Sequence, residues 1–193
     1  MFPNFQVRSP EVNATKLLGG QGVTSTMAAA LMWAKLSVEL DHACNDMDKA
    51  LMALAGAWQS PAAAQMMQAA AAYKVWLQGI ATHANAIAEK AFSDARAHSQ
   101  ADRSMVMLQT IADNKRQTAK LVNDNLMGKH AHEIARLEAE YQQYWDINAR
   151  AMNDYAAAVS ADSPVKPFDK APQIINEQGL ADAAKAGRPQ QKS

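Results

Sequence analysis

The histidine cluster His130-Ala131-His132-Glu133 is the first place to look for metal chemistry. Its two histidines stand two residues apart, which turns them to different faces of a helix. The HExxH spacing that aims two imidazoles at one zinc is absent. The cluster also sits beside Gly128 at a predicted helix start, where polar side chains are ordinarily solvated. Asp124, Glu133, Glu138 and Glu140 read as solvated helix charges. Gly19-Gly20-Gln21-Gly22 has neither the following lysine nor the preceding strand of a phosphate cradle. Cys44 is the single cysteine, which excludes an internal disulfide and a cysteine-only metal site. Inside a helical pattern it reads as a small buried thiol. No nucleophile has a partner that spacing places beside it. These residues predict neither a catalytic site nor a metal or cofactor.

The remaining chemistry is that of contact. Three apolar features stand at bends: Trp58 in Ala57-Trp58-Gln59-Ser60-Pro61, the pair Leu126-Met127, and Phe2 with Phe5 in the N-terminal arm. An apolar residue at a bend serves either as a plug for the end of a bundle or as a docking point. Leu126-Met127 lies among Asn123, Asp124, Asn125, Lys129 and His130, so its loop reads as a tip presenting a small apolar knob. Apolar surface rimmed by polar groups marks a contact site.

Helices must position these features. Ser9-Pro10-Glu11 is a helix start, with Ser as N-cap, Pro at the first helical position and Glu in the first turn. The glycines after Leu17-Leu18 stop that helix. Thr24 or Ser25 opens a second, long helix that ends near Gly56, and Ser60-Pro61 repeats the first device. Met66, Ala70, Tyr73, Leu77, Ile80, Ala84, Ile87 and Ala91 then follow alternating steps of four and three, a coiled-coil-like seam. A helix from Pro61 to Ser99 is about 58 Å long at 1.5 Å per residue. The polar run Ser99–Ser104 reads as a break before a fourth helix with Leu108 and Ile111, which Gly128 ends. A fifth helix carries Ile134, Leu137, Tyr141, Trp145, Met152 and Tyr155, with Asn148 as a lone seam amide that sets register or partner choice. The expected helices are about 10–18, 25–55, 61–99, 104–127 and 131–160. They make one all-α domain over 1–160, an elongated bundle of four long helices plus a short N-terminal one. Pro164, Pro167, Pro172 and Pro189 with scattered lysines predict a disordered tail over 161–193, in which Leu180–Ala186 is at most a transient helical turn.

Composition sharpens this picture. Hydrophobic residues are 49% of the 193, yet aromatics are only 6% and alanine supplies much of the rest. Alanine forms helix readily and buries little area, so the core is thin and wants a partner's surface. Nineteen basic and nineteen acidic residues cancel, which argues against nucleic acid. The uncharged stretch Ala50–Tyr73 is long enough to span a membrane, but Gly56, Gln59, Ser60 and Pro61 interrupt it, so no stable insertion is expected. The N-terminus lacks the basic and apolar regions of a secretory signal. Two rival readings are an Ala-rich structural bundle and an amphipathic helical protein lying on a membrane surface. The second wants Lys or Arg flanking the apolar faces, and Ala50–Tyr73 has none.

Several motifs resemble those of the PPE proteins of mycobacteria, clients of type VII secretion. Ser9-Pro10-Glu11-Val12-Asn13 is similar to the N-terminal Pro-Pro-Glu segment, and Trp58-Gln59-Ser60-Pro61 to the Trp-x-Gly-Pro bend. Tyr73-Lys74-Val75-Trp76-Leu77 resembles the Tyr/Phe-x-x-Trp-Leu of the third helix. Asn125-Leu126-Met127-Gly128 resembles the Asn-apolar-apolar-Gly tip, and Glu138, Tyr141, Trp145, Met152 and Tyr155 the last helix. Two departures, Ser9 for proline and Ser60 for glycine, keep residues that cap helices well. The long repetitive C-terminal region of many members is absent from the sequence, as in short members.

The resemblance implies pairing with a PE protein, a two-helix hairpin that completes a four-helix bundle on helices two and three. The expected contacts are Met27, Leu31, Val38, Met47 and Leu51 on helix two, and Met66, Tyr73, Leu77, Ile80 and Ile87 on helix three. It implies that a cytosolic chaperone of the EspG type grips the tip Asn125, Leu126, Met127, Gly128, Lys129 and His130. It further implies that the secretion ATPase reads the bend Trp58, Gln59, Ser60, and that the pair made in the cytoplasm is exported to the cell surface or beyond. The export motif Tyr-x-x-x-Asp/Glu, expected on the PE partner, is absent: Leu77, Trp145, Asn148 and Val159 stand four residues after Tyr73, Tyr141, Tyr144 and Tyr155.

Overall fold

In the computed structural model, residues 4–20, 22–161 and 165–174 are described. Phe2 and the segment Leu180–Ala186 lie outside them. Among the described residues the chain is all-helical, with no strand: α1 (Pro10–Leu18), α2 (Gly22–Ala57), α3 (Pro61–Ser104), α4 (Leu108–Asn123) and α5 (Ala131–Ala161). Two 3-10 turns, Phe5–Val7 and Leu126–Gly128, precede α1 and α5. No described helix is long and apolar enough to cross a membrane.

The local start signals act as their chemistry requires. Ser9 Oγ accepts from the Val12 N–H at 3.4 Å, and Ser60 Oγ from the Ala63 N–H at 3.1 Å. Each hydroxyl satisfies an N–H that the first turn leaves without a partner. Gly19 closes α1, donating its N–H to the Thr15 carbonyl at 2.8 Å. Helix α2 starts at Gly22, earlier than Thr24 or Ser25, and Gly22 has a φ of 67°.

The polar run Ser99–Ser104 corrects the expected break. It is the last turn and a half of α3, within which both serines bond back to their own helix. Ser99 Oγ donates to the Ala95 carbonyl at 3.0 Å and Ser104 Oγ to the Gln100 carbonyl at 2.8 Å. Ala101, inside the run, is buried, so the turn has an apolar anchor that its composition hides. The helix stops after Ser104, where Asn148 Oδ1 accepts the Val106 N–H at 2.7 Å. Consequently α4 is shorter than the expected 104–127.

The chain divides into two compact units, one of Met1–Leu31 with Glu89–Pro164 and one of Met32–Ala88 with the chain from Val165. In the first, α5 packs against α1, α4 and the Phe5–Val7 turn, and α1 packs on α4. Phe5, Leu17, Ala101, Ala149, Met152 and Ala156 form its core, with Met105 and Tyr155 packed on it. Phe5 is therefore a core residue, not a contact point. The seam amide Asn148 is fully buried and bridges three segments: its Nδ2 donates to the Pro10 carbonyl at 2.9 Å while its Oδ1 holds Val106. Trp145 Nε1 donates to the Gln6 carbonyl at 2.7 Å. Glu11 accepts from Tyr141 Oη at 3.1 Å and Lys115 Nζ at 3.0 Å, tying α1 to both α5 and α4.

The second unit is an antiparallel helix pair. Ser37 Oγ on α2 donates to the Ala81 carbonyl on α3 at 2.9 Å, and Lys74 Nζ on α3 meets Asp48 on α2 at 2.7 Å. As the α2 number rises the α3 number falls, which fixes the direction. The buried side chains here are small: Ser37, Cys44, Ala63, Ala81, Ala84 and Ala88. Small residues let two helix backbones approach closely, but they remove little apolar area from water.

Candidate protein-binding surfaces

The tip is built by polar caps that push apolar side chains outward. Asn125 Oδ1 accepts the His130 N–H at 2.8 Å across the turn. The Lys129 N–H reaches the Leu126 carbonyl at 3.4 Å. This closure forces Met127 into the left-handed region with φ 57°, beside Gly128 with φ 79°. A side chain there costs about 1–2 kcal/mol relative to glycine. Leu126 is 75% exposed and Met127 fully exposed. Neither plugs the end of a helix pair; both stand in solvent. His130 Nδ1 lies 3.3 Å from Glu133 Oε2, one turn on in sequence, while His132 is exposed. Between α4 and α5 an open groove is lined by Thr118, Ala119, Ala135, Glu138 and Gln142.

At the Trp58 bend, α2 ends when the Trp58 N–H donates to the Leu54 carbonyl at 2.9 Å, and Ser60 caps α3. Trp58 is 43% exposed at this bend. Gln59 is exposed.

The long helices carry more than one apolar stripe. On α2, Ser37 and Cys44 are buried, and their heptad register continues to Leu51. To one side of that line lie Trp33, Leu40 and Met47, all half-buried. To the other side lie Leu31, Val38 and Met52, all more than half exposed and spaced in sevens, with Met27 at the same angle. On α3, Ala70, Leu77, Ala84 and Ala91 belong to the stripe of Ala81 and Ala88 that meets α2. A second stripe, Tyr73, Trp76, Ile80, His83 and Ile87, runs beside it in steps of three and four, with Met66 in the same register.

Phe168 identifies the flank that these stripes share. Its ring centroid lies 4.6 Å from that of His83 on α3 and 6.0 Å from that of Trp33 on α2. The Trp33 side of α2 and the His83 side of α3 therefore border one groove. That groove is bordered by Met47, Met66, Tyr73, Ile80 and Ile87 of the expected contact set, while Leu51 shares the α3-facing line of Ser37 and Cys44. Met27, Leu31 and Val38 fall on the opposite side of α2, and Leu77 on the α2-facing line of α3. Trp33, Trp76, His83 and Phe168 border the same groove and stand outside the expected contact set. The signal for two of them was present, since Trp76 and His83 stand seven apart and interleave with Tyr73, Ile80 and Ile87.

Among the described residues no group of three His, Cys, Asp or Glu side chains converges as a metal site. Burial pushes the Cys44 thiol up, and Asp41 and Asp48 add to it, so the thiol stays protonated beneath the α2–α3 contact. Glu11 is shifted the other way. Burial alone raises its carboxyl, but hydrogen bonds from its own backbone, Lys115, Ser9 and Tyr141 outweigh that and hold it below its ordinary value.

Comparison with known proteins agrees with this geometry. The family model described as "PPE family" matches residues 4–164. PPE family protein PPE41 of Mycobacterium tuberculosis is 31% identical over 174 residues, covering 90% of either chain. "Uncharacterized PPE family protein PPE61" of the same species is 34% identical over 97% of this chain and 47% of its own length. "Uncharacterized PPE family protein PPE28" is 38% identical over 83% of this chain and 25% of its own. The chain thus spans about half or less of the longer relatives and nine-tenths of the short one. With the Ser9-Pro10-Glu11 clasp, the Trp58 bend and the Leu126-Met127 tip each built as described, the chain belongs to the PPE family.

Proposed function

We propose that this chain is the PPE subunit of a PE–PPE heterodimer that an EspG-type chaperone escorts and a type VII secretion system exports. One observation carries the pairing. The α2–α3 pair buries alanines, Ser37 and Cys44, and leaves Tyr73, Trp76, Ile80 and Met47 half-exposed along one groove. A two-helix hairpin laid in that groove completes a four-helix bundle by knobs-into-holes packing. Each large side chain so covered contributes on the order of 1–2 kcal/mol. Membership of the PPE family supports the same partner.

The chaperone reads the Leu126-Met127 knob, an exposed apolar centre with polar neighbours at Asn125, Lys129 and His130. The secretion ATPase reads the exposed edge of Trp58, beside Gln59 and the capping Ser60, together with a signal on the partner. The reading assigns the chain no reaction and no cofactor. Its products are a pairing, a handover and an export.

Expression alone and together with a PE-type hairpin tests it. Alone, the chain should bind ANS along the incompletely covered α2–α3 groove and melt at low temperature; together, a 1:1 complex should exclude ANS and melt at a higher one. A sharp cooperative melt of the lone monomer that a hairpin leaves unchanged overturns the pairing. Flotation of the lone chain with lipid vesicles instead supports the membrane-surface reading.

A further inference from the structure

Beyond α5, residues 165–174 carry no helix, yet they do not stand apart from the α2–α3 pair. Phe168 packs against His83 and Trp33, and the Asp169 carbonyl accepts the Trp76 Nε1–H at 2.8 Å. These three ring residues lie on the stripes that border the groove. Trp76 and His83 interleave with Tyr73, Ile80 and Ile87, so a helix laid along the whole α3 stripe meets Phe168.

We infer that residues 165–174 are a self-docking strap, in which Phe168 fills the Trp33–Trp76–His83 end of the α2–α3 groove until the PE-type hairpin displaces it. This rests on the pairing proposed above. The anchoring is slight. Every described residue of the strap except Pro172 is exposed, and Phe168 itself remains 40% exposed. The Phe168 ring and the Trp76 indole hydrogen bond cover the Trp33–Trp76–His83 end of the groove without closing it. Such a cover shields two tryptophans from non-specific apolar contacts and yields to a partner that buries the full stripe. It also taxes the partner's affinity, because the competent groove is only the strap-free fraction.

The full chain tests this with two variants and a PE-type hairpin that co-purifies with the wild type. In Phe168→Ala, tryptophan emission of the lone chain should shift to the red and iodide quenching should rise, with helical circular dichroism unchanged. The same variant should bind the hairpin about tenfold more tightly, equivalent to about 1.4 kcal/mol. In the double variant His83→Cys, Phe168→Cys, a short bismaleimide should lock the strap down; Cys44 is buried and stays out of reach. The locked chain should lose pairing more than tenfold relative to the same chain without cross-linker, which lacks the Phe168 ring and should pair at least as tightly as the wild type. Unchanged emission and quenching in Phe168→Ala would overturn the docking of the strap. A locked chain that pairs normally would overturn the competition and leave the pairing itself intact. If neither the wild type nor Phe168→Ala pairs with any hairpin, the heterodimer reading fails, and the displacement with it.

Discussion

The α1–α4–α5 region and the α2–α3 pair pack their helices in opposite ways. In the first, buried amides and carboxylates join segments far apart in sequence. Asn148 holds Pro10 and Val106, Asn114 Nδ2 donates to the Leu137 carbonyl at 3.0 Å, and Glu11 holds Tyr141 and Lys115. In the second, the buried Ser37 bonds to the Ala81 carbonyl and Lys74 meets Asp48 across the interface, and the buried side chains are Ser37 and Cys44 on α2 and alanines on α3. A region whose buried amides bridge its own distant segments is held together as a fold. A region that packs small residues and shows large ones is finished only by something else. The difference teaches where stability and binding reside: mutations in the first should be read by melting, and mutations in the second by pairing.

The largest expected effect is at Asn148. Asn148→Leu orphans the Val106 N–H and the Pro10 carbonyl, each costing about 1–3 kcal/mol when buried. The melting temperature of the heterodimer should fall by many degrees, and hydrogen exchange should rise first in α1 and the start of α4. If instead pairing is lost while the melt is unchanged, the division of labour between the two regions is wrong.

Ile80→Asp makes the converse test. The side chain is half-exposed in the lone chain, so its helical content should change little. Burying an unpaired carboxylate under a hairpin costs several kcal/mol, so co-purification should fail. Val38→Asp, on the opposite side of α2, shows whether that stripe also takes part; retention of the partner would confine the interface to the Trp33 flank.

Acid separates the regions next. Because the Glu11 carboxyl titrates below its ordinary 4.5, the unfolded chain binds more protons than the folded one between the two values. Stability from the clasp is therefore complete above pH 4.5 and lost as pH falls through the lower, folded value. Glu11→Gln should cost about 0.5–1.5 kcal/mol at neutral pH and flatten that part of the acid profile. An acid profile identical to wild type would remove Glu11 from the account.

The smallest effect has the most telling sign. Met127→Gly relieves the left-handed backbone and should stabilise the chain by about 1 kcal/mol, yet it removes the apolar knob and should weaken chaperone capture. Trp58→Ala should likewise leave the heterodimer assembled, because a ring already 43% exposed loses less than the roughly 3–5 kcal/mol of a buried one, while export stops. Stability and function moving together at either site would mean that the residue is structural after all.

Much of the fold was legible because its signals are local. Caps at Ser9 and Ser60, the stop at Gly19, and the three-four steps of α3 each involve residues within a turn or two of one another, whereas α4 stops at Asn123, short of the expected Gly128. The Ser99–Ser104 run misled for the same reason, since polar composition is a local signal and the burial of Ala101 beneath it is not. The tip was legible as a place, from Asn125 to His130, but its exposure was not, since a plug and a knob have the same residues.

The sequence alone carried the all-helical class, the caps at Ser9 and Ser60, and a family likeness borne by short motifs. Only the tertiary structure decided which of two interleaved stripes on α2 and α3 faces inward and that Met47 and Val38 lie on opposite flanks. It also turned Asn148 into a brace between Pro10 and Val106, and brought Phe168 into a groove beside His83 and Trp33. The physical reason is that a heptad sets the spacing of side chains on one helix but not the rotation of that helix against its neighbour. Rotation is chosen by the sum of contacts between residues tens of positions apart, such as Ser37 with Ala81 and Asn148 with Pro10.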